Sequence, residues 1–142
     1  RGAWIGIQWG HEREHFYRAM LESIAYEYRF YMQSIKELLN MEEKEVRGFG
    51  GGSANTLWNQ MKADVLGIPH ITLEQQECSL LGSAILAGYA IGAYSDIAKT
   101  SKEMNKIVKR TNPIEENKKL YSKVYESWIG LSRTQGQFLR GI

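Results

Sequence analysis

Glu45-Val46-Arg47-Gly48-Phe49-Gly50-Gly51-Gly52-Ser53-Ala54-Asn55-Thr56-Leu57-Trp58 is the stretch whose reading decides the fold. It reads as a strand over Glu45 to Phe49, a turn of backbone alone, and a helix from Thr56 to Leu66. Residues without Cβ can take positive φ, and the helix behind them supplies unpaired N–H groups and a partial positive charge, so the turn can approach an anion. No Gly-x-Gly-x-x-Gly run is present and no Lys-Ser or Lys-Thr follows the glycines, which disfavours the dinucleotide fold and the P-loop. Two readings of the turn stay open: a ligand loop, or a strand-to-helix connection in which glycine permits close packing.

Outward from the turn, Gly67-Ile68-Pro69 stops the helix, with Gly at the C-cap and Pro two residues on. His70 to Leu73 reads as a second strand, and Ser79 to Ile91 as a helix of small and apolar residues, expected to be buried all round. Upstream, Ala3 to Ile7 reads as a strand. From His11 to about Leu39, Phe16, Met20, Ile24, Tyr28, Tyr31, Ile35 and Leu38 recur every three or four residues, predicting a core helix; Glu14, Arg18 and Glu22 form an ion ladder on its other face. Ser95 to Arg110 reads as a polar, basic connector. A final helix is predicted at about 113–139, with Tyr121, Val124, Trp128, Leu131, Gln135 and Phe138 as its apolar stripe. The alternation of strands and helices predicts an α/β domain.

The 142 residues are 43% hydrophobic and 24% charged, with a formal net charge of +2. These values suit one globular domain, and the scattered charge suggests neither a nucleic-acid nor a membrane partner. Cys78 has no second thiol with which to form a disulfide, which leads to an expectation of a cytoplasmic protein. The chain opens without Met and inside an apparent strand, so a piece of a longer protein is expected, lacking the first strands of its sheet and prone to self-association, a homodimer included, through apolar edge surface along Ala3 to Ile7.

Arg1-Gly2-Ala3-Trp4-Ile5-Gly6-Ile7, a polar spacer, and His15 to Glu22 resemble the second signature of the FGGY carbohydrate kinases, with Gly2, Trp4, Gly6, Ile7, His15, Phe16, Ala19 and Glu22 in register. The Gly50-to-Trp58 block resembles the adenosine motif of that family, Ala63 to Pro69 its continuation, and Glu77 to Ala84 the helix start that follows. Four blocks in family order cover roughly Arg1 to Gly92. The Trp9-Gly10-His11 turn and the final helix look most like xylulose kinase, with gluconate, ribulose and glycerol kinases open.

This resemblance implies an actin-like ATPase, ribonuclease H-like domain, the second of two that close over ATP and a sugar, with residues 1–142 forming a partial C-terminal nucleotide-binding domain. It implies ATP-dependent phosphorylation of a sugar or polyol hydroxyl by the full-length protein. The catalytic Asp, most of the sugar pocket and the groups holding Mg²⁺ are expected outside this chain, which therefore supplies no catalytic residue and is inactive alone. By motif match, Gly50, Gly51, Gly52, Ser53 and Asn55 bind the nucleotide: Gly51 and Gly52 along the ribose and α-phosphate, Asn55 towards the adenine, Ser53 a weaker member. A non-catalytic nucleotide-binding or structural module of the same fold is the alternative. His11 and His15, four apart on one helix, are read as surface or capping groups and no metal site is expected. His70 is read as a strand-end residue, Cys78 as a small packed side chain, and Glu22 as a buried structural hydrogen-bond partner.

Overall fold

The computed structural model describes residues 3–140; the side chains of Arg133 and of residues 135–140, those of Gln135 and Phe138 in the predicted stripe among them, lie outside the described set, as does Gly2 of the signature. The chain divides into two compact units. One holds the stretch up to Glu42, Asp64–Gly67 and the stretch from Ile114 onward; the other holds Glu43–Ala63 and Ile68–Pro113.

The first unit pairs two long helices, α1 (Arg13–Leu39) and α5 (Glu115–Arg140). A reciprocal capping box starts α1: the Glu12 side chain accepts from the His15 N–H and His15 Nδ1 accepts from the Glu12 N–H at 3.1 Å. One residue turn earlier, His11 Nδ1 accepts from the Gln8 N–H, also at 3.1 Å. His15 is thus a capping group, while His11 is an exposed residue bonded within the turn that precedes the helix. Asn40, with φ 50°, closes the helix in the left-handed region.

The face that α1 buries is not the predicted one. Leu21, Ala25 and Tyr26 are buried, while Met20, Ile24, Tyr28, Tyr31, Ile35 and Leu38 are exposed. The helix carries two apolar stripes, and packing against α5 selects the one built round Tyr26, whose ring meets Tyr121, Tyr125 and Trp128 at 5.7–6.2 Å between centroids. On α5 likewise, Tyr121 and Tyr125 are buried and Val124 and Leu131 are exposed. Asp64 caps α5 from outside the helix: Oδ1 accepts from the Ile114 N–H at 2.7 Å and Oδ2 from Asn117 Nδ2 at 2.8 Å. That explains the buried Asp in the Ala63-to-Pro69 block.

The second unit holds a three-stranded sheet, β1 (Val46–Gly48), β2 (His70–Leu73) and β3 (Ile107–Thr111), in the order β1-β2-β3. β1 pairs parallel with β2, Val46 opposite His70, and β2 pairs antiparallel with β3, His70 opposite Thr111. Helix α2 (Thr56–Leu66) links the two parallel strands and ends at Gly67, φ 72°. Helix α3 (Cys78–Ala90) follows β2, and α4 (Ile97–Met104) packs along it.

Three expectations are corrected here. Ala3 to Ile7 is not a strand: among the described residues no strand pairs with it, and Gly6 turns it out of the extended region with φ 76°. The supposed connector from Ser95 to Arg110 holds α4 and most of β3; Asp96 caps α4 by accepting from the Lys99 N–H at 2.9 Å, and β3 is short and exposed from Ile107 to Arg110, with lysines on either side of Ile107-Val108, so composition hides it. Helix α3 is not enclosed: Ile85 is buried while Leu80, Leu86 and Tyr89 stand exposed.

Candidate nucleotide-binding turn

Gly48, the last residue of β1, leaves no room for a side chain against the imidazole of His70 on β2, an added Cβ lying 2.5 Å from Nε2. The chain then reverses at Gly50, whose φ of 77° and ψ of 177° suit glycine alone among ordinary residues. Gly51–Ala54 form one short 3₁₀ turn, closed by the Ser53 N–H on the Gly50 carbonyl at 3.0 Å.

The three glycines do different things. Gly50 supplies the positive φ. Gly52 makes room for an aromatic ring, since a Cβ there would lie 2.6 Å from Trp58. Gly51 faces open space, with nothing within 4 Å of an added Cβ. The N–H groups of Gly51 and Gly52, ahead of the first turn bond, find no acceptor among the described residues. An open backbone surface with unspent donors is what an anionic or ribose-bearing ligand requires.

Ser53, only 3% exposed, supports the turn from beneath: its Oγ donates to the Gly50 carbonyl at 2.8 Å and also meets Gln76 Oε1. Asn59 Nδ2 donates to the Ser53 carbonyl at 2.7 Å. Asn55 uses its Oδ1 to cap α2, accepting from the Trp58 N–H at 3.0 Å. Its part in a ligand site therefore falls to the remaining amide nitrogen.

Beneath the turn lies a buried basic pair that the sequence does not advertise. Lys62 Nζ sits 4.4 Å from the Trp58 ring centroid, and burial pushes its ammonium below the ordinary range. His70 is 2% exposed, and its Nδ1 has no hydrogen-bond partner among the described residues; burial first, and Lys62 second, push its pKa down to about 4, so the imidazole is neutral near pH 7. It is the first residue of β2, a strand-end residue as expected, opposite Thr111 on β3. Cys78 is tied on both sides, its Sγ–H donating to the Gln75 carbonyl and its sulfur accepting from Asn105 Nδ2, each at 3.2 Å.

In the first unit, the signature residues gather round one cavity of about 270 Å³, lined among others by Trp4, Ile7, His15, Phe16, Ala19 and Glu22. Trp4 meets Phe16 edge-on at 5.2 Å. Glu22 is the structural partner expected of it: Oε1 accepts from Arg18 Nε at 2.8 Å and from the Tyr121 hydroxyl at 3.0 Å. No three His, Cys, Asp or Glu side chains among the described residues are grouped closely enough to hold a metal ion. Nor is any described helix long and apolar enough to cross a membrane.

Comparison with known proteins agrees with this arrangement. The profile of the C-terminal domain of the FGGY family of carbohydrate kinases matches residues 1–91. The chain belongs to that family, and its fold is the α/β, actin-like ATPase fold of the family's C-terminal domain. Glycerol kinase of Listeria monocytogenes (strain EGD-e) is 37% identical over 128 residues, spanning 90% of this chain and 25% of the relative. Glycerol kinase of Caldanaerobacter subterraneus subsp. tengcongensis is likewise 37% identical over 90% of the chain and 25% of the relative. Among solved structures, ligand-bound xylulose kinase from Lactobacillus acidophilus superposes with a TM-score of 0.82 at 20% identity, covering 96% of this chain and 27% of that one. Plasmodium falciparum glycerol kinase with ADP superposes with a TM-score of 0.74 at 25% identity, covering 91% and 26%. The chain spans about a quarter of the length of the curated relatives it matches.

Proposed function

We propose that the full-length protein transfers a phosphoryl group from Mg·ATP to a hydroxyl of a sugar or polyol, and that this chain supplies the adenosine end of the site. The observation that carries the reading is the bare backbone at Gly51, open to solvent in a turn otherwise tied down on every side. In this reading Gly50, Gly51 and Gly52 line the ribose and α-phosphate. Ser53 keeps them in place, and Asn55 offers Nδ2 towards the base. Mg²⁺, when bound, offsets charge on the phosphates; its ligands and the catalytic base belong to other parts of the protein. The acceptor is a carbohydrate or polyol, with xylulose the sequence preference and glycerol brought forward by the names of the 37%-identical relatives. The same reading expects a cytoplasmic protein, with self-association through the exposed apolar side chains along Ala3 to Ile7.

The test is ADP release by full-length protein with Mg·ATP and a panel that includes xylulose, gluconate, ribulose and glycerol. Acceptor-stimulated release is expected from the full-length protein and none from the 142-residue chain alone. Folded protein that binds ATP yet releases no ADP with any acceptor of the panel is the non-catalytic nucleotide module instead.

A further inference from the structure

Gln76 lies in the loop between β2 and α3, 23 residues from the serine it meets. It touches the glycine turn at two places. Its carbonyl accepts from the Gly50 N–H at 3.1 Å, and its side-chain Oε1 meets Ser53 Oγ. Its Nε2 donates to the Leu73 carbonyl at 2.6 Å. Because a carbonyl can only accept, that last contact orients the amide with Nε2 towards Leu73 and Oε1 towards Ser53. The Ser53 hydroxyl, with one proton, then faces two acceptors, the Gly50 carbonyl and Gln76 Oε1. The turn is thereby held at its first residue and its buried serine by one side chain and one carbonyl of the same distant residue.

The far side of this loop is itself anchored. The Gln75 N–H donates to Asn105 Oδ1 at 2.9 Å, the Glu74 N–H donates to the Lys106 carbonyl at 2.9 Å, and Asn105 Nδ2 reaches Cys78. A loop fixed to the approach of β3 thus presents Gln76 as a clasp on the turn, beside the Ser53–Gly50 bonds and the Asn59 contact, while Gly51 itself has no side chain to pack. Glycine loses more backbone freedom on ordering than any other residue, so a glycine turn pre-set by outside contacts binds a ligand without first having to be ordered.

We propose that Gln76 is a positioning residue for nucleotide binding: it holds Gly50 and Ser53 so that the open backbone at Gly51 is pre-organised for the ribose-phosphate. This rests on the nucleotide reading of the turn. The residue acts through the turn and need not touch the ligand.

The experiment uses full-length protein, with Mg·ATP titrated calorimetrically into wild type, Gln76→Ala, Gln76→Glu, Ser53→Ala and the Ser53→Ala/Gln76→Ala pair. Melting temperatures and amide exchange at residues 50–54 are measured alongside. Gln76→Ala is expected to weaken Mg·ATP by about tenfold. Its melting temperature should stay near that of wild type, while amide exchange speeds up in the turn and not in α2. Gln76→Glu keeps an acceptor for Ser53 but loses the donor to Leu73, so it should weaken binding too. The double variant should bind no worse than the weaker single, because both substitutions break one clasp. Unchanged affinity in Gln76→Ala, strictly additive losses, or a loss matched by general destabilisation would overturn the proposal. A wild-type protein that does not bind Mg·ATP overturns the nucleotide reading itself, whereas a binding wild type with an equally tight Gln76→Ala overturns the clasp alone.

Discussion

Arg18, Glu22 and Tyr121 in one unit, and Ser53, Asn59 and Gln76 in the other, are polar clusters of similar size. In the first, side chains satisfy one another: the Tyr121 hydroxyl donates to Glu22 and accepts from Arg18 Nη2, both at 3.0 Å, and Arg18 pairs with Glu22. Burial, reinforced by the Glu22 charge, raises the Tyr121 phenol above its ordinary range, and Tyr26 beside it is raised by burial as well. That cluster is closed on itself and steadies the pairing of two helices. In the second, Ser53 meets Gln76, but each of the three side chains also bonds a main-chain carbonyl, those of Gly50, Ser53 and Leu73, and the segment they hold keeps an open face. The contrast separates polarity that stabilises from polarity that prepares a surface for something else.

The strongest way to break this distinction is to place a side chain at each of two adjacent glycines. Gly52→Val pushes a branched Cβ into Trp58, where only 2.6 Å is available, and is expected to cost about 2–3 kcal/mol in thermal or denaturant unfolding. Gly51→Val meets nothing and should melt like wild type, yet weaken Mg·ATP tenfold or more by filling the ligand's space. If Gly51→Val binds normally, the open face is not a ligand face.

Acid tests the floor beneath the turn. His70 has a folded pKa of about 4 against an ordinary 6.5, so its contribution to stability is whole above pH 6.5 and is lost as the pH falls to about 4. Up to about 3 kcal/mol should disappear over that window. Urea unfolding from pH 7 to 4 should show it, with a shallower pH dependence in His70→Gln; matching slopes in the two proteins would mean that the imidazole protonates freely in the folded state.

The smallest effect is expected in the closed cluster. Tyr121→Phe removes two hydrogen bonds from a partly buried site and should cost about 1 kcal/mol of stability with Mg·ATP affinity unchanged. A change in nucleotide binding would link a cluster regarded here as purely structural to the ligand.

Much of the site was legible in sequence because it depends on local chemistry. Glycine marks a turn wherever it stands, and the helix after Gly50-Gly51-Gly52-Ser53 runs over Thr56–Leu66, stopped by Gly67, as the residues predict. His70–Leu73 likewise forms the expected strand. The individual duties of the glycines were not legible: which one takes positive φ, which one yields to Trp58 and which one stays open depend on residues that fold against them. Gln76 carried no sequence signal at all, since a glutamine in a polar connection looks like any solvated side chain until the β2–α3 loop brings it to Ser53.

By itself, the sequence determined the class of domain, the order of most elements, the family and the location of the turn, because periodicity, glycine and capping residues act over a few neighbours. Tertiary structure decided which stripe of α1 is buried, that a polar stretch pairs as β3, that Asp64 caps a helix 50 residues away, and that Asn55 spends its oxygen on a cap. Each of those outcomes depends on a partner distant in the chain, and one-dimensional spacing carries no record of which distant surface a residue will meet.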